Sequence, residues 1–307
     1  MDLARLLSVI SLPGDPFSEE VYRDLKLDRV RVYSKTFPDG ETYIRLSGRV
    51  ESEKVIIVQS MYPDQDRRLV EILELLDILR DYRGEKLALL PYLAYARQDK
   101  MFLEGEPVTV RIVLETLIKS GLDRIYVVEP HSSRFIDNNK VIEIRGVEIM
   151  ASILRERLKN VLRDRVYVVS PDQGGVKRAS EFAKIIGGSL MSFVKYRDRY
   201  SGEIRITPPE DINLIRDSSV FIVDDILSTG GTVVEVAKTL LKHEPRRLYI
   251  VCVHCLFAER ALEMIESIEI ERVFCGNTVS RKTTSNKVEY IDLSYDIMRL
   301  LLRDLKI

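Results

Sequence analysis

Hydrophobic positions along this chain fall into two alternating patterns. Short runs that are apolar at successive residues occur at Val55–Val58, Leu87–Leu90, Ile125–Val128, Val166–Val169, Val220–Val223 and Leu248–Val253. Such runs suit parallel strands covered on both faces. Between them the apolar residues recur at helical spacing. Arg68–Tyr82 carries Leu69, Ile72, Leu73, Leu76 and Leu79 on one stripe, and Val108–Ser120 is followed by Gly121, where a left-handed cap is expected. Thr232–His243 turns Val233, Val236, Ala237, Leu240 and Leu241 inward. Strands alternating with helices predict an α/β fold. The pattern continues through all 307 residues without a linker or a repeat at residue level. A break near Arg145–Val147 gives two α/β domains, 1–146 and 147–307, each of ordinary size. The C-terminal YIDLSYDIMRLLLRDL reads as a helix with an apolar stripe that packs back on the first domain.

Composition narrows the classes. A formal net charge of −1 argues against a nucleic-acid binder driven by bulk positive charge. No apolar run reaches the length of a membrane span, and MDLARLLSVISLPGD does not read as a signal peptide. Three cysteines are too few for a disulfide framework, so a cytoplasmic setting is expected. Cys252-Val-His-Cys255 has zinc-like spacing but no second pair, and it reads as buried strand.

The chemistry concentrates where strands end. In VFIVDDILSTGGT, residues 220–232, an apolar strand runs into Asp224 and Asp225. Open α/β sheets bind ligands at this end of their strands. Neighbouring strand residues point oppositely, so the two carboxylates are expected to do different jobs. Ser228, Thr229, Gly230, Gly231 and Thr232 then offer hydroxyls and backbone N–H groups at a helix start, which suits a phosphate. The alternative is an ordinary strand–turn–helix connection capped by Thr232. Four other stretches invite the same question. They are Phe37-Pro-Asp39-Gly40-Glu41, Ala96-Arg97-Gln98-Asp99-Lys100, Glu129-Pro130-His131 and Ser170-Pro-Asp172-Gln-Gly174-Gly175. Lys195-Tyr-Arg197 places two cations at alternating positions before Tyr200-Ser-Gly-Glu, which reads as a turn.

The 220–232 stretch resembles the phosphoribosyl-diphosphate motif of type I phosphoribosyltransferases and of ribose-phosphate pyrophosphokinases. By itself it does not choose between an enzyme that uses this metabolite and one that makes it. The FPDGE, ARQDK, SPDQGG and Lys-x-Arg stretches, in order from Phe37 onward, are similar to segments of the pyrophosphokinases. Glu129 and Pro130 replace that family's usual residues before His131, and Ser228 stands where it usually has Asp.

The resemblance implies two phosphoribosyltransferase-type domains, each with a mostly parallel sheet. It also implies transfer of the diphosphoryl group of Mg-ATP to the 1-hydroxyl of ribose 5-phosphate. On that basis Asp39, Gly40, Glu41, Arg97 and Gln98 serve ATP. Arg197, Asp224, Asp225 and Ser228–Thr232 serve ribose 5-phosphate, His131 and Asp172 hold Mg2+, and Lys195 and Arg197 are catalytic. A homo-oligomer, at least a dimer, is implied as well.

Overall fold

The computed structural model describes residues 3–25, 28–137, 139–197, 204–279 and 283–307. They cluster into two compact units. One comprises residues 1–145, 277–281 and 293–307, and the other 146–276 and 282–292.

The first unit opens with α1 (Leu3–Leu6), β1 (Leu7–Ile10), α2 (Pro16–Leu25) and β2 (Asp28–Val30). An antiparallel ribbon follows, β3 (Val32–Thr36) and β4 (Thr42–Leu46). Then come β5 (Lys54–Val58), α3 (Gln65–Ile78), β6 (Glu85–Leu90), α4 (Thr109–Lys119), β7 (Arg124–Val128) and β8 (Val141–Ile144). Its sheet is parallel throughout, in the order β2-β1-β5-β6-β7-β8. The last four residues of β5, β6 and β7 are all buried, as continuous apolar runs in a doubly covered sheet require. Ile72, Leu76 and Leu79 of the expected stripe are buried, and Leu69 and Leu73 pack at the edge of the same core. Gly121 closes the turn after α4 with φ +112°, the conformation a side chain would oppose.

The second unit repeats the plan. It contains α5 (Gly146–Arg157), β9 (Val166–Ser170), α6 (Val176–Ile186) and β10 (Ser189–Ser192), followed by the ribbon of β11 (Val194–Arg197) and β12 (Ile204–Thr207). It continues with β13 (Ser219–Leu227), α7 (Gly231–Leu241), β14 (Arg247–Cys255), α8 (Ala261–Glu266), β15 (Arg272–Gly276) and β16 (Val288–Ile291). Its parallel sheet has the order β10-β9-β13-β14-β15-β16, so each strand has a topological counterpart in the first unit. The repeat that residue comparison does not reveal is present in the topology.

The final helix, α9 (Ser294–Asp304), belongs to the first unit and packs on α2. Asp304 accepts hydrogen bonds from Tyr126 Oη at 2.6 Å and Arg124 Nη1 at 3.2 Å, tying the helix to β7. The C-terminal stretch is therefore not one helix: residues 288–291 are strand, and the helix begins at Ser294. Among the described residues, no helix is long and apolar enough to cross a membrane.

Candidate active site

In the second unit the candidates gather at the carboxyl ends of two adjacent strands. β9 and β13 pair as far as Ile222 against Val169. After Ser170, β9 gives way to a loop, whereas β13 continues to Leu227 with β14 alone as its partner. The strand end expected at Val223 is thus not where the strand stops. It is where β13 loses its neighbour on the β9 side, just before the half-buried Asp224.

The two carboxylates occupy different surroundings. Asp225 is buried, and its Oδ2 lies 3.4 Å from Arg178 Nη2 on α6. Asp224 is only half-buried, and its Oδ1 accepts the Asp225 backbone N–H at 2.9 Å. Desolvation first, then the adjacent Asp225 charge, hold Asp224 well above the usual carboxylate range; Arg178 opposes this and the Asp172 charge adds to it. Beneath them, Cys252 Sγ donates to the Asp225 carbonyl at 3.1 Å, and burial pushes that thiol up.

The loop after β9 is built by its own polar groups. Asp172 Oδ1 accepts the Gly175 N–H at 3.1 Å, and Ser170 Oγ donates to the Asp172 carbonyl at 2.7 Å. A Cβ at Gly175 would stand 2.8 Å from Ser170 Oγ, which explains the glycine. Gln173 Nε2 reaches Ser192 Oγ at 3.0 Å and fixes the loop to β10.

Beyond β13, Ser228 and Thr229 lead to Gly230, which has φ +78° and precedes the first residue of α7. Gly230 offers no side chain to cap the helix, and a helix start is a place that favours an anion. Thr232 lies inside the first turn, after the cap. A Cβ at Gly231 would meet nothing within 4 Å, so open space stands at the helix start.

In the first unit, β6 and β7 are neighbours, and Arg97 and His131 follow their carboxyl ends. Both residues are exposed. The amide of Gln98 donates to the Pro107 carbonyl at 3.2 Å and approaches Glu106 at 3.4 Å, so this side chain is engaged in holding its own loop. Before His131, Glu129 is buried with φ +42°, an unusual conformation for a residue with a side chain. Asp39, Gly40 and Glu41 form the tip of the β3–β4 ribbon. The Gly40 N–H (φ +96°) donates to the Phe37 carbonyl, the Phe37 N–H to the Glu41 carbonyl, and the Glu41 N–H to Asp39 Oδ1. All three are exposed, beside an exposed aromatic group of Tyr33, Phe37 and Tyr43.

Lys195 and Arg197 lie on β11, paired in register with Ile206 and Ile204. Their side chains, and the turn expected at 200–203, fall outside the described residues. Among the described residues no three His, Cys, Asp or Glu side chains cluster as a closed metal cage. Half-buried Asp172 does suit Mg2+, which takes one or two carboxylates and completes its shell with phosphate oxygens and water.

Sequence reasoning missed two features. Arg178 follows Gly175 by three residues and carries no motif that would single it out. Cys255 and Cys275 are bridged, with Cα atoms 5.8 Å apart. The cysteines are buried strand residues as expected, but the chain does hold a disulfide.

Paired carboxylates above a glycine loop, on a parallel sheet of this order and duplicated in one chain, define the phosphoribosyltransferase type of fold. Residues 8–121 match the N-terminal domain of ribose phosphate pyrophosphokinase, and residues 136–295 match the phosphoribosyl transferase domain. Ribose-phosphate pyrophosphokinase of Sulfurisphaera tokodaii is 33% identical over 92% of this chain and 95% of its own. That of Pyrococcus abyssi is 34% identical over 94% and 96%. The crystal structure of phosphoribosylpyrophosphate synthetase from Mycobacterium smegmatis superposes with a TM-score of 0.86, covering 98% of this chain and 99% of that one at 22% identity. The chain belongs to the ribose-phosphate pyrophosphokinase family and is an enzyme of that kind.

Proposed function

We propose that this enzyme transfers the β,γ-diphosphoryl group of Mg-ATP to the 1-hydroxyl of ribose 5-phosphate, releasing AMP and 5-phosphoribosyl 1-diphosphate for nucleotide synthesis. The observation that carries the proposal is the placing of Asp224. This half-buried carboxylate follows the point where β13 loses β9 as its neighbour, between the glycine loop after β9 and an open helix start after β13.

In this reading the 5-phosphate rests on the N–H groups and hydroxyls of Ser228–Thr232. Asp224 accepts hydrogen bonds from the ribose hydroxyls, and Asp225 holds Arg178 and supports Asp224 from below. The Ser170–Gly175 loop faces the diphosphate as it arrives. Arg97 grips ATP phosphate oxygens, with Gln98 shaping the loop on which Arg97 sits. Lys195 and Arg197 stabilise charge on the transferring group; no covalent nucleophile is needed, since positioning and electrostatics carry this chemistry. On the second unit Asp172, and on the first unit His131, would each offer a ligand to Mg2+, which supplies charge neutralisation on the polyphosphate when bound. The exposed aromatic ribbon carrying Asp39–Glu41 suits a neighbouring subunit's nucleotide, in a homo-oligomer of at least two chains; the setting we propose is cytoplasmic.

The test is a mass-resolved product assay with Mg-ATP and ribose 5-phosphate and no nucleobase. AMP and phosphoribosyl diphosphate should form in equal amounts. Product only when a nucleobase and preformed phosphoribosyl diphosphate are supplied would replace this reading with a phosphoribosyltransferase.

A further inference from the structure

The segment that follows β14 forms the support on which the 5-phosphate loop lies. Leu227, the last residue of β13, is in register with Cys255, the last residue of β14. From there the backbone of the next three residues turns under the loop. Leu256 N–H donates to the Leu227 carbonyl at 2.8 Å, Phe257 N–H to the same oxygen at 3.2 Å, and Ala258 N–H to the Ser228 carbonyl at 3.0 Å. A Cβ at Gly230 would lie 3.6 Å from Ala261 Cβ, so the loop touches the start of α8 as well.

This support is held in an unfavourable shape. Phe257 (φ +47°) and Glu259 (φ +53°) both adopt the left-handed region, which side chains disfavour and which persists only where the surroundings impose it. Phe257 is the second residue after Cys255. The parallel register of β14 with β15 runs to Cys252 against Cys275, and β14 continues to Cys255. The Cys255–Cys275 bridge fastens this last residue of β14 to β15. It is buried, with Cys255 and Cys275 both nearly inaccessible.

We infer that the Cys255–Cys275 disulfide positions the 5-phosphate loop, so that opening it weakens the grip on the phosphorylated sugar. The inference rests on the assignment of Ser228–Thr232 to the 5-phosphate. Opening consumes two electrons and two protons: a dithiol such as dithiothreitol is oxidised to its cyclic disulfide, and Cys255 and Cys275 become thiols. Without the bridge, Cys255 keeps its β13 partner but loses its covalent tie to β15. The strained 257–259 turn then relaxes, and the carbonyls of Leu227 and Ser228 lose fixed donors.

The experiment uses the full-length enzyme purified without reductant. Differential alkylation and peptide mapping should find Cys255 and Cys275 bridged and Cys252 free. Denaturant is kept low and reduction is carried out until the map shows both thiols. Hydrogen exchange of the 222–234 peptide should then rise. The dissociation constant for ribose 5-phosphate should rise about tenfold with the KM for ATP little changed, and reoxidation should restore both. Cys275→Ser should match the reduced enzyme and ignore dithiothreitol.

Free thiols at both positions in the purified enzyme would overturn the inference. So would unchanged exchange at 222–234, or equal losses for sugar and ATP. The exchange readout does not depend on turnover. A braced loop in a protein that makes no phosphoribosyl diphosphate would therefore reject the proposed reaction and leave the brace standing.

Discussion

Arg178 Nη2 lies 3.4 Å from Asp225 Oδ2, and the two side chains are 10% and 5% exposed. This ion pair joins the first turn of α6 to β13, next to the half-buried Asp224. Removing one partner leaves the other charged and buried. Arg178→Met should therefore destabilise the protein by about 3–5 kcal/mol, measured by denaturant unfolding. Arg178→Met/Asp225→Asn should recover much of that loss, because neither charge remains. A single substitution without effect would show the pair to be solvated in solution.

The same pair was invisible in the sequence, and the reason is physical. A strand buried on both faces writes itself as an unbroken apolar run, so β5, β6, β7, β9 and the body of β13 and β14 are legible. The ribbon β3–β4 alternates between exposed and half-buried positions and carries no such run. The run Leu7–Ile10 is buried throughout but only four residues long, beside an equally apolar Leu3–Leu6 turn, so its period is undefined. The stretch Tyr290–Leu293 fits a helix period and a strand period equally, and pairing with β15 decides for the strand as far as Ile291. Asp224 and Gly175 were legible because a carboxylate or glycine at a strand exit has few structural uses. Arg178 and the Cys255–Cys275 bridge depend on which elements meet in space, information that local spacing does not hold. Gln98 shows the converse: a motif residue whose amide is occupied by its own loop.

In the proposed site, Asp224 should set the acid limit of sugar binding. Burial and the Asp225 charge raise its pKa, so as pH falls it takes up a proton earlier than an ordinary aspartate and stops accepting both ribose hydroxyl protons. The acid limb of kcat/KM for ribose 5-phosphate should therefore lie above the ordinary carboxylate range. Asp172 contributes to the rise through its charge, so Asp172→Asn should move that limb to lower pH in the activity that remains. A limb that stays in place would detach it from Asp224.

Lys195→Ala should lower kcat by about a hundredfold or more, the scale of losing one donor to a transition-state anion. Its unfolding midpoint should match that of the parent, since β11 stands on an outlying two-stranded ribbon. Near-normal turnover would remove Lys195 from the mechanism.

Asp15 makes stability itself pH-dependent. It caps α2, with Pro16 at the first helical position, and accepts hydrogen bonds from the Ser18 hydroxyl and the Ser18 and Ser60 N–H groups. Burial dominates all of these and raises its pKa from 3.8 to about 6. A carboxyl raised on folding favours the native state while it is neutral. That contribution is complete below about pH 4 and is lost as pH climbs through about 6, a change of about 3 kcal/mol at most. Asn stays neutral at every pH and still offers an oxygen to Ser18 and Ser60. Asp15→Asn should thus equal the parent at pH 4 and exceed it in stability at pH 8, read as the difference between their unfolding free energies at each pH. A difference that does not grow with pH would mean that Arg68, whose charge already draws the pKa down, keeps Asp15 ionised at little cost in the folded protein.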